Sequence, residues 1–435
     1  MSATPFARRV LAGLWLGGLA AAALALIGLP PGPLAVEAGL IAHVTGLLAG
    51  YLSAVMVALM SRTPVLERRV GSDVLARWHA HGGRAFMALV GTHAVTAVAA
   101  WAGSRGQDPV TALIAVLGLP GLLAATVGTL LFVAIVGISV WAARRRVSYE
   151  VWHLVHLLTY LAIALSFVHE LAGPNLAGQP VVQVVWTLMH AWAFALVLRY
   201  RVIAPLESVW RHRLRVEAVV PEADGVVSVI MRGRHVAELD VEAGQFFRWR
   251  FLTRTTWRTA HPFSLSAIPR GDLLRITVKA LGDGSRLIHS VQPGTLVLAE
   301  GPSGALTSRR RTRRSVLLVA GGVGITPMRA LFESLDLHGG RLTLLYRASS
   351  PADVVFRGEL EEIARRRGAE IVWMVGPSSR PENAVTAANL RRLVPDITAR
   401  DVYLCASPGL SAVVRAALRD AGLPRMHLHE EAFAF

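Results

Sequence analysis

Long apolar runs dominate the first half of the chain, and short alternating runs dominate the second half. Apolar segments of membrane-spanning length occur near 10–29, 38–60, 79–101, 113–141, 151–171 and 181–203. A helix needs about 20 predominantly apolar residues to cross a bilayer, so each segment predicts one span. The first apolar stretch is longer than the apolar core of a typical signal peptide, and we interpret it as a membrane anchor. The pattern therefore predicts a six-helix membrane bundle over residues 1–207.

Arginines mark one side of this predicted bundle. They precede span one, lie between spans two and three and between spans four and five, and follow span six: Arg8, Arg9, Arg62, Arg68, Arg69, Arg77, Arg144, Arg145, Arg146, Arg199, Arg201, Arg211 and Arg213. The charged residues of the other connections are only Glu37, Arg105 and Asp108. Because positively charged loops stay in the cytoplasm, we predict a multi-pass protein of the inner (cytoplasmic) membrane with both termini and the second half in the cytoplasm. The short outer connections predict no large external domain.

Composition agrees with a membrane half joined to a soluble half. The 435-residue chain is 53% hydrophobic, with a mean hydropathy of +0.46, which is too apolar for an ordinary soluble protein. Its net charge of +16 comes almost wholly from arginine, since Lys279 is the only lysine. These arginines cluster beside the predicted spans, so we expect membrane lipid as a partner and no nucleic acid. The single cysteine, Cys405, excludes an intrachain disulfide and a cysteine-ligated cluster.

Histidines on spans three and five need an explanation, because ionisable residues are costly in lipid and usually mark a functional site. Span three begins RWHAHGGRAFMALVGTH (77–93), and span five contains VWHLVHLLTYLAIALSFVHE (151–170). His79 and His93 return to nearly one helix face and stand about 21 Å apart along the axis. The spacing of His156 and His169 rotates one from the other by about 140° in an ideal helix, which a bend, a π-bulge or a tilt must correct.

The two spans run in the same direction, so these histidines predict two pairs at matched depths. His79 comes level with His156 near the cytoplasmic side, and His93 with His169 nearer the outside. Facing imidazoles suit a six-coordinate, low-spin haem iron, so the pattern predicts two stacked b-type haems that transfer electrons.

Other histidines remain alternatives. His81 competes with His79, although its offset from His93 is poorer, and His153 competes with His156. The remaining histidines of the spans lack a matched partner, and we interpret them as structural: His43 and His190.

The paired histidines resemble those of the ferric reductase-like transmembrane domain, which ferric reductases and NADPH oxidases share. In that family, histidine pairs with these spacings ligate two haems. The resemblance therefore implies His79, His93, His156 and His169 as the ligands. Gly83, four residues after the first of them, also fits.

Residues 211–305 show short alternating runs separated by turn residues, which predicts a small antiparallel β-barrel. Within it, HPFSLSAIP (261–269) resembles the flavin motif of NADPH oxidases in the ferredoxin–NADP reductase-like superfamily. The resemblance implies that Phe263 packs along the isoalloxazine, that Ser264 hydrogen-bonds near its reactive nitrogen, and that Pro262 belongs to the same site. His261 stands where other members have arginine; the resemblance places it at the flavin phosphate or ribityl part, without the bidentate clamp of arginine.

The segment VKALGDGSRLI (278–288) follows at the family's spacing. Gly282, Gly284 and Ser285 open a predicted helix, whose first N–H groups favour a diphosphate. Family members use such a turn for FAD, so the resemblance implies FAD here and includes Lys279 in the site. A single Gly-Ser turn alone would be an ordinary loop.

The segment SVLLVAGGVGITPMRALFESL (315–335) predicts a buried strand, a glycine-rich turn and a helix. It meets the general dinucleotide fingerprint only in part. The form GGVGITP resembles the nicotinamide-nucleotide loop of the same superfamily, which implies that its residues face the diphosphate and nicotinamide: Gly321, Gly322, Gly324, Ile325, Thr326 and Pro327. Strand-like RLTLLYRA, EIVWMV and DVYLC alternate with helical segments, so residues 310–435 predict an α/β domain with a parallel sheet.

Three further positions complete the predicted nucleotide site. Arg347 follows the second strand, where an arginine suits the 2′-phosphate of NADPH and an acidic residue would suit NADH. DVYLCASPGLS (401–411) resembles the family's segment beside the nicotinamide, which puts Cys405 near the hydride path or, alternatively, leaves it a small buried strand residue. In this superfamily a terminal aromatic residue covers the flavin, which implies this role for Phe435 or Phe433.

Together these features predict a transmembrane oxidoreductase. Electrons pass from cytoplasmic NADPH or NADH through FAD and two haems to a small external acceptor, such as a ferric chelate or oxygen. Quinone or a periplasmic protein is an alternative acceptor. A haem-containing membrane sensor or transporter with a regulatory nucleotide domain is an alternative of another class, and it predicts no electron flow from nicotinamide to haem.

Overall fold

A computed structural model describes residues 5–26, 35–145, 149–173, 176–336 and 339–430, without the side chains of 35–37 and 142–150. The predicted tail residues Phe433 and Phe435 lie outside the described residues, as do Arg146 and the side chains of Glu37, Arg144 and Arg145. Internal contacts divide the chain into two compact units. One contains Pro5–Thr63 and Val74–Arg201, and the other contains Pro64–Asp73 and the chain from Val202 onward.

The first unit consists of helices. Within the described residues the helices of the first half are α1 (Pro5–Ala23), α2 (Ala35–Leu59), α3 (Pro64–Arg69), α4 (Ser72–Arg105), α5 (Pro109–Leu117), α6 (Leu122–Arg145), α7 (Tyr149–Ala172), α8 (Pro180–Val197) and α9 (Ala204–His212). Helices α3 and α9 belong to the second unit, and a π-helical turn, Leu198–Ile203, joins α8 to α9. Among the described residues, six helical segments are long and apolar enough to cross a membrane, which agrees with the six predicted spans and a multi-pass membrane protein.

The predicted fourth span is divided in the structure. Asp108 caps α5 by accepting hydrogen bonds from the backbone N–H groups of Val110 and Thr111. Helix α5 ends before Gly118, and Gly121 adopts a positive φ of 77° before α6 begins. Pro120 lacks an N–H for helix continuation, so the chain breaks here despite its apolar run. Apolarity predicted the segment, but Pro120 and Gly121 decide where its helix begins.

Close approach of α6 to α7 depends on glycine. A Cβ atom on Gly128 would lie 2.8 Å from the Ala162 carbonyl oxygen and 2.9 Å from the Ser166 hydroxyl oxygen. The outward faces of the long helices carry exposed apolar side chains, such as Trp15 and Leu188. Such surfaces suit lipid rather than water.

The second unit contains two antiparallel sheets. Their strands are β1 (Arg215–Ala223), β2 (Val226–Arg232), β3 (Phe246–Phe251), β4 (His261–Ser264), β5 (Leu273–Lys279) and β6 (Val297–Ser303), with the short helix α10 (Asp283–Ile288) after β5. The strand orders are β1-β2-β5 and β4-β3-β6. Single bridges, Leu265 to Ile276 and Arg215 to Leu296, connect the two sheets. The antiparallel strands are confirmed, and closure into a barrel stays a prediction.

The rest of this unit is a parallel α/β fold, as predicted. Its elements are β7 (Val316–Gly321), α11 (Ile325–Ser334), β8 (Leu342–Ala348), α12 (Arg357–Arg367), β9 (Glu370–Val375), α13 (Ala387–Leu393), β10 (Asp401–Cys405), α14 (Pro408–Asp420) and β11 (Leu428–Glu430). The sheet order is β11-β10-β7-β8-β9, with every pair parallel. The predicted domain boundaries at 207, 211–305 and 310–435 stay predictions.

A charged network joins the antiparallel and parallel parts of this unit. Both carboxylate oxygens of Glu359 on α12 accept hydrogen bonds from Arg275 on β5, at 2.8 and 2.9 Å, and one also accepts from Arg329 on α11 at 2.7 Å. Burial alone would raise the pKa of Glu359, but these two guanidinium groups hold it below its usual value. Bidentate charge-assisted bonds are strong and directional, so this network favours one arrangement of the two parts.

We predict opposite effects of two alanine substitutions on α6. Gly128→Ala places a Cβ atom against the backbone of α7, and overpacking of this kind costs about 1–3 kcal/mol. Gly137→Ala, where nothing lies within 4 Å, should be neutral or stabilising, because alanine exceeds glycine in helix propensity by about 1 kcal/mol. Thermal unfolding of the detergent-purified variants measures both effects. Equal melting temperatures would contradict the proposed close packing.

Candidate functional site

Helices α4 and α7 bring the predicted histidines together in two pairs. The ring centroids of His79 and His156 lie 6.0 Å apart, with the ring planes at 70°. Those of His93 and His169 also lie 6.0 Å apart, with the planes at 46°. The pairing is the one expected from the helix direction, and no pair mixes the two depths.

This geometry fits an ion held between each pair. An imidazole nitrogen binds a transition-metal ion at about 2.0 Å, so rings on opposite sides of one ion stand about 6 Å apart, centroid to centroid. Among the described residues no group of three or more His, Cys, Asp or Glu side chains forms a metal site. Two nitrogen donors without a third suit a haem iron, which takes only axial ligands from protein.

The second nitrogens of these rings differ in their surroundings. The Nδ1 atom of His93 lies 2.8 Å from the carbonyl oxygen of Ala42 on α2. The Nδ1 atoms of His79 and His156 are buried without a hydrogen-bond partner among the described residues. A cavity borders His93 and His169, and its walls include Phe86, Phe132 and Ile163. Its mainly apolar lining suits an apolar ligand.

The offset between His156 and His169 is not corrected by a helix defect, since α7 is one unbroken α-helix. The crossing of the two helices and the side-chain torsions must therefore bring both histidines to face α4.

The competing ligands are His81 and His153. His81 is exposed, and its Nδ1 atom lies 2.7 Å from the carbonyl oxygen of Arg77 on its own helix. The ring of His153 lies beside Trp152, at 6.5 Å. Neither faces another histidine in the described contacts.

The histidine His190, interpreted from the sequence as structural, belongs to a buried polar cluster that sequence reasoning missed. Its Nε2 lies 3.3 Å from the Ser53 hydroxyl and 3.7 Å from the Glu170 carboxylate, which accepts a hydrogen bond from the Trp186 indole at 2.7 Å. The one indication of this cluster in the sequence was an acidic residue, Glu170, inside an apolar span. The other such histidine, His43, lines the cavity described above, and its Nδ1 is buried without a described partner.

The flavin motif lies on β4. Ser264 is 3% exposed, and its hydroxyl oxygen has no hydrogen-bond partner among the described residues. A buried unsatisfied hydroxyl is costly, and the predicted bond to the flavin would satisfy it. The rings of His261 and Phe263 stack at 6.2 Å with an interplanar angle of 24°, and Pro262 lies between them in the strand. These residues fit a planar, polar ligand such as FAD.

The predicted diphosphate turn also forms. Helix α10 begins after Gly282, and a Cβ atom on Gly284 would overlap the imidazole of His261. The Ser285 hydroxyl accepts hydrogen bonds from the N–H groups of Leu281 and Gly282, at 2.9 Å each. This serine therefore holds the turn. Lys279 lies 3.8 Å from Asp353, between the flavin and nucleotide parts of the unit.

The glycine-rich loop follows β7. Gly322 has a φ of 55°, and a Cβ atom on Gly324 would overlap the carbonyl group of Cys405; one on Gly321 would lie 2.8 Å from the Cβ of Ala406. The prediction that the GGVGITP segment faces the nucleotide stays a prediction, and the members of the segment differ in exposure. Ile325 is fully buried in the core, and Thr326 and Pro327 are also buried. Gly322 and Val323 are the partly exposed members.

Two other predicted site residues are also buried. Arg347 is only 8% exposed, and its guanidinium donates hydrogen bonds to the carbonyls of Ala348 and Met374. It stabilises the ends of two strands, and its contact with a 2′-phosphate stays a prediction. Cys405 is 1% exposed within the core at the carboxyl end of β10. Its thiol is a packing group in this structure, in line with the second interpretation of the sequence.

A further buried group escaped the sequence reasoning. Asp401 is fully buried at the start of β10 and accepts hydrogen bonds from the backbone N–H groups of Thr312 and Arg313, with His427 and His429 at 3.2 and 3.1 Å. Burial alone would raise the pKa of Asp401, but the bonds from His429 and the two N–H groups hold it well below its usual value. This network lies at the opposite end of the strand from Cys405 and stabilises the sheet.

Two family profiles match the chain. The ferric reductase like transmembrane component matches residues 45–167, and the oxidoreductase NAD-binding domain matches residues 318–416. The first range contains His79, His93 and His156 and ends two residues before His169, and the second contains the glycine-rich loop.

Curated relatives match the second half of the chain. The ferredoxin reductase component of 3-ketosteroid-9-alpha-monooxygenase from Mycolicibacterium smegmatis is 31% identical over 233 residues, 51% of this chain and 65% of the relative. Ferredoxin–NADP reductase B of Sorangium cellulosum is 31% identical over 179 residues, 38% of this chain and 72% of the relative. Among solved structures, the flavohem-like FAD/NAD-binding domain of nitric oxide dioxygenase from Vibrio cholerae has a TM-score of 0.42 and 24% identity, covering 51% of this chain and 99% of that one.

We predict that Gly324→Ala slows the reaction with nicotinamide nucleotide at least tenfold, because the new Cβ atom would displace the loop from the Cys405 carbonyl. Flavin content should stay near the wild-type value, since the flavin motif lies on other strands. Gly358→Ala in the first turn of α12, with nothing within 4 Å, is the matched control. The rate of anaerobic flavin bleaching by NADPH or NADH measures the effect, and equal rates in the two variants would contradict it.

Proposed function

Since the chain belongs to the ferric reductase-like transmembrane family and carries a ferredoxin–NADP reductase-like module, we propose that it is an NAD(P)H-dependent flavocytochrome b oxidoreductase. In this proposal, electrons from cytoplasmic NAD(P)H pass through FAD and two b-type haems to an acceptor on the outer side of the membrane. The observation that carries it is the pairing of four histidines on α4 and α7 at two depths, each pair with 6.0 Å between ring centroids.

The electron count is consistent with single-electron acceptors. NAD(P)H gives up a hydride, which is one proton and two electrons, and leaves as NAD(P)+. When bound, FAD takes the hydride and returns its electrons one at a time, and haem iron carries one. Two ferric chelates or two oxygen molecules are then reduced for each NAD(P)H, and one proton is released to the cytoplasm.

The residues of the chain hold and orient these groups. His79 with His156, and His93 with His169, would hold the two haems. The members of these pairs on α4 stand about 21 Å apart along the helix axis. On the second unit, the Ser264 hydroxyl is positioned to bond the flavin, and His261 and Phe263 form a stacked surface beside it. The partly exposed loop at Gly322 offers backbone N–H groups to the nucleotide diphosphate.

The external acceptor in this proposal is a ferric chelate or oxygen. A second candidate follows from the relatives, which are named as ferredoxin reductase components: electrons would leave the flavin directly to a cytoplasmic ferredoxin. The membrane histidines would then take no part in the reaction. The two functions differ in whether haem lies on the electron path.

We predict that His93→Ala loses about half of the bound haem, because it removes one ligand of one pair. His81→Ala is the matched control on the same helix, since His81 is exposed and bonds its own backbone. Haem content is measured on the detergent-solubilised proteins. Anaerobic stopped-flow spectroscopy with NADPH and NADH then follows flavin bleaching and the haem Soret and α bands.

In the wild-type protein and in His81→Ala, flavin bleaching should precede haem reduction. Admission of ferric citrate or oxygen should reoxidise the haems, and this reoxidation should slow at least tenfold in His93→Ala. Purified protein without haem bands, or haems that stay oxidised while the flavin is reduced, would overturn the proposal. Equal rates of ferredoxin reduction by wild-type and His79→Ala proteins would favour the second candidate instead.

A further inference from the structure

None of the four paired histidines lies on α2, but the backbone of α2 contacts one of them, His93. The Nδ1 atom of His93 lies 2.8 Å from the carbonyl oxygen of Ala42. A carbonyl oxygen only accepts hydrogen bonds, so the proton must be on Nδ1 of this imidazole. The lone pair of the ring is therefore on Nε2. This contact spans 51 residues of sequence, so it fixes the ring from another helix.

The approach of the ring to Ala42 depends on the next turn of α2. A Cβ atom on Gly46 would lie 2.8 Å from both Nδ1 and Cε1 of His93. Such a distance is shorter than van der Waals contact, so any side chain at this position would push the imidazole away from the carbonyl. Gly50, four residues further on, makes space in a similar way for Glu170, the residue after His169. A Cβ atom on Gly50 would lie 2.7 Å from the Glu170 carboxylate.

We infer that Gly46 is a positioning residue for His93, and that the notch formed by Gly46 and the Ala42 carbonyl sets the tautomer, rotation and donor strength of this haem ligand. The inference rests on the proposed function, because it assigns His93 to a haem. A hydrogen bond from the second nitrogen makes a ligating imidazole more basic and fixes its orientation. A more basic ligand stabilises the ferric over the ferrous ion and lowers the midpoint potential.

The Nδ1 atoms of His79 and His156 are buried without a hydrogen-bond partner among the described residues. Gly46 contacts the ring of His93, so the two haems should differ in their dependence on Gly46. A change at Gly46 should alter the haem held by His93 and leave the haem held by His156 as it was.

The test uses the full-length protein with its haems bound. In Gly46→Ala, we expect the component of an anaerobic redox titration that is assigned to His93 to move to higher potential. The largest g value of the corresponding low-spin ferric haem should change, and the other component should stay in place. The His79→Ala and His93→Ala variants assign the components. Gly39→Ala on the same helix, where nothing lies within 4 Å, should leave both haems unchanged.

The outcomes separate the inference from the proposed function. Wild-type protein that binds no haem would overturn the proposed function. Wild-type protein with two haems, together with a Gly46→Ala variant whose potentials and g values are unchanged or move alike for both haems, would overturn the inference alone. If Gly46→Ala does not fold, proton ENDOR of the wild-type protein gives the answer. A hydrogen-bonded imidazole proton on the His93 haem supports the inference, and its absence contradicts it.

Discussion

An imidazole buried among lipid-facing helices loses water as a partner for its nitrogens, and the pairing of the histidine rings on α4 and α7 meets part of this requirement. Each nitrogen that is removed from water without a partner costs free energy, and the cost is high where no water can enter. The four rings on α4 and α7 meet in pairs, which places their nitrogens where one ion can satisfy two rings. The depth of each histidine, the direction of the helices and the apolar cavity are consequences of this arrangement.

Glycine makes the necessary helix approaches possible. Gly128 admits the backbone of α7 to α6, and Gly46 and Gly50 admit the side chains of His93 and Glu170 to α2. Polar side chains also connect these helices. Ser53, His190 and Trp186 form such a cluster around Glu170. Because packing between membrane helices relies on small residues and on such bonds rather than on exclusion of water, a methyl group added at Gly46 would contact a histidine that is distant in sequence.

Regular patterns explain what could be predicted from the sequence. The spans, the antiparallel strands and the parallel sheet follow from hydrophobic length and periodicity, and the histidine pairs follow from spacing on helices of known direction. Helix breaks and very short strands were harder to predict. The break at Pro120 and Gly121 lies within an apolar run that reads as one span, and the short strand Leu428–Glu430 has too few residues for a pattern to appear.

Side chains whose roles depend on distant partners were beyond sequence reasoning. Arg347 lies at a position where an arginine often binds phosphate. In the structure its guanidinium donates hydrogen bonds to carbonyl oxygens at the ends of β8 and β9. Arg275 and Arg329 are likewise committed to Glu359. A buried guanidinium must be surrounded by acceptors before any ligand arrives, because an unpaired buried charge is too costly. Arginines enclosed in this way hold the parts of the module together. The partly exposed backbone around Gly322 remains the predicted site of a nucleotide diphosphate.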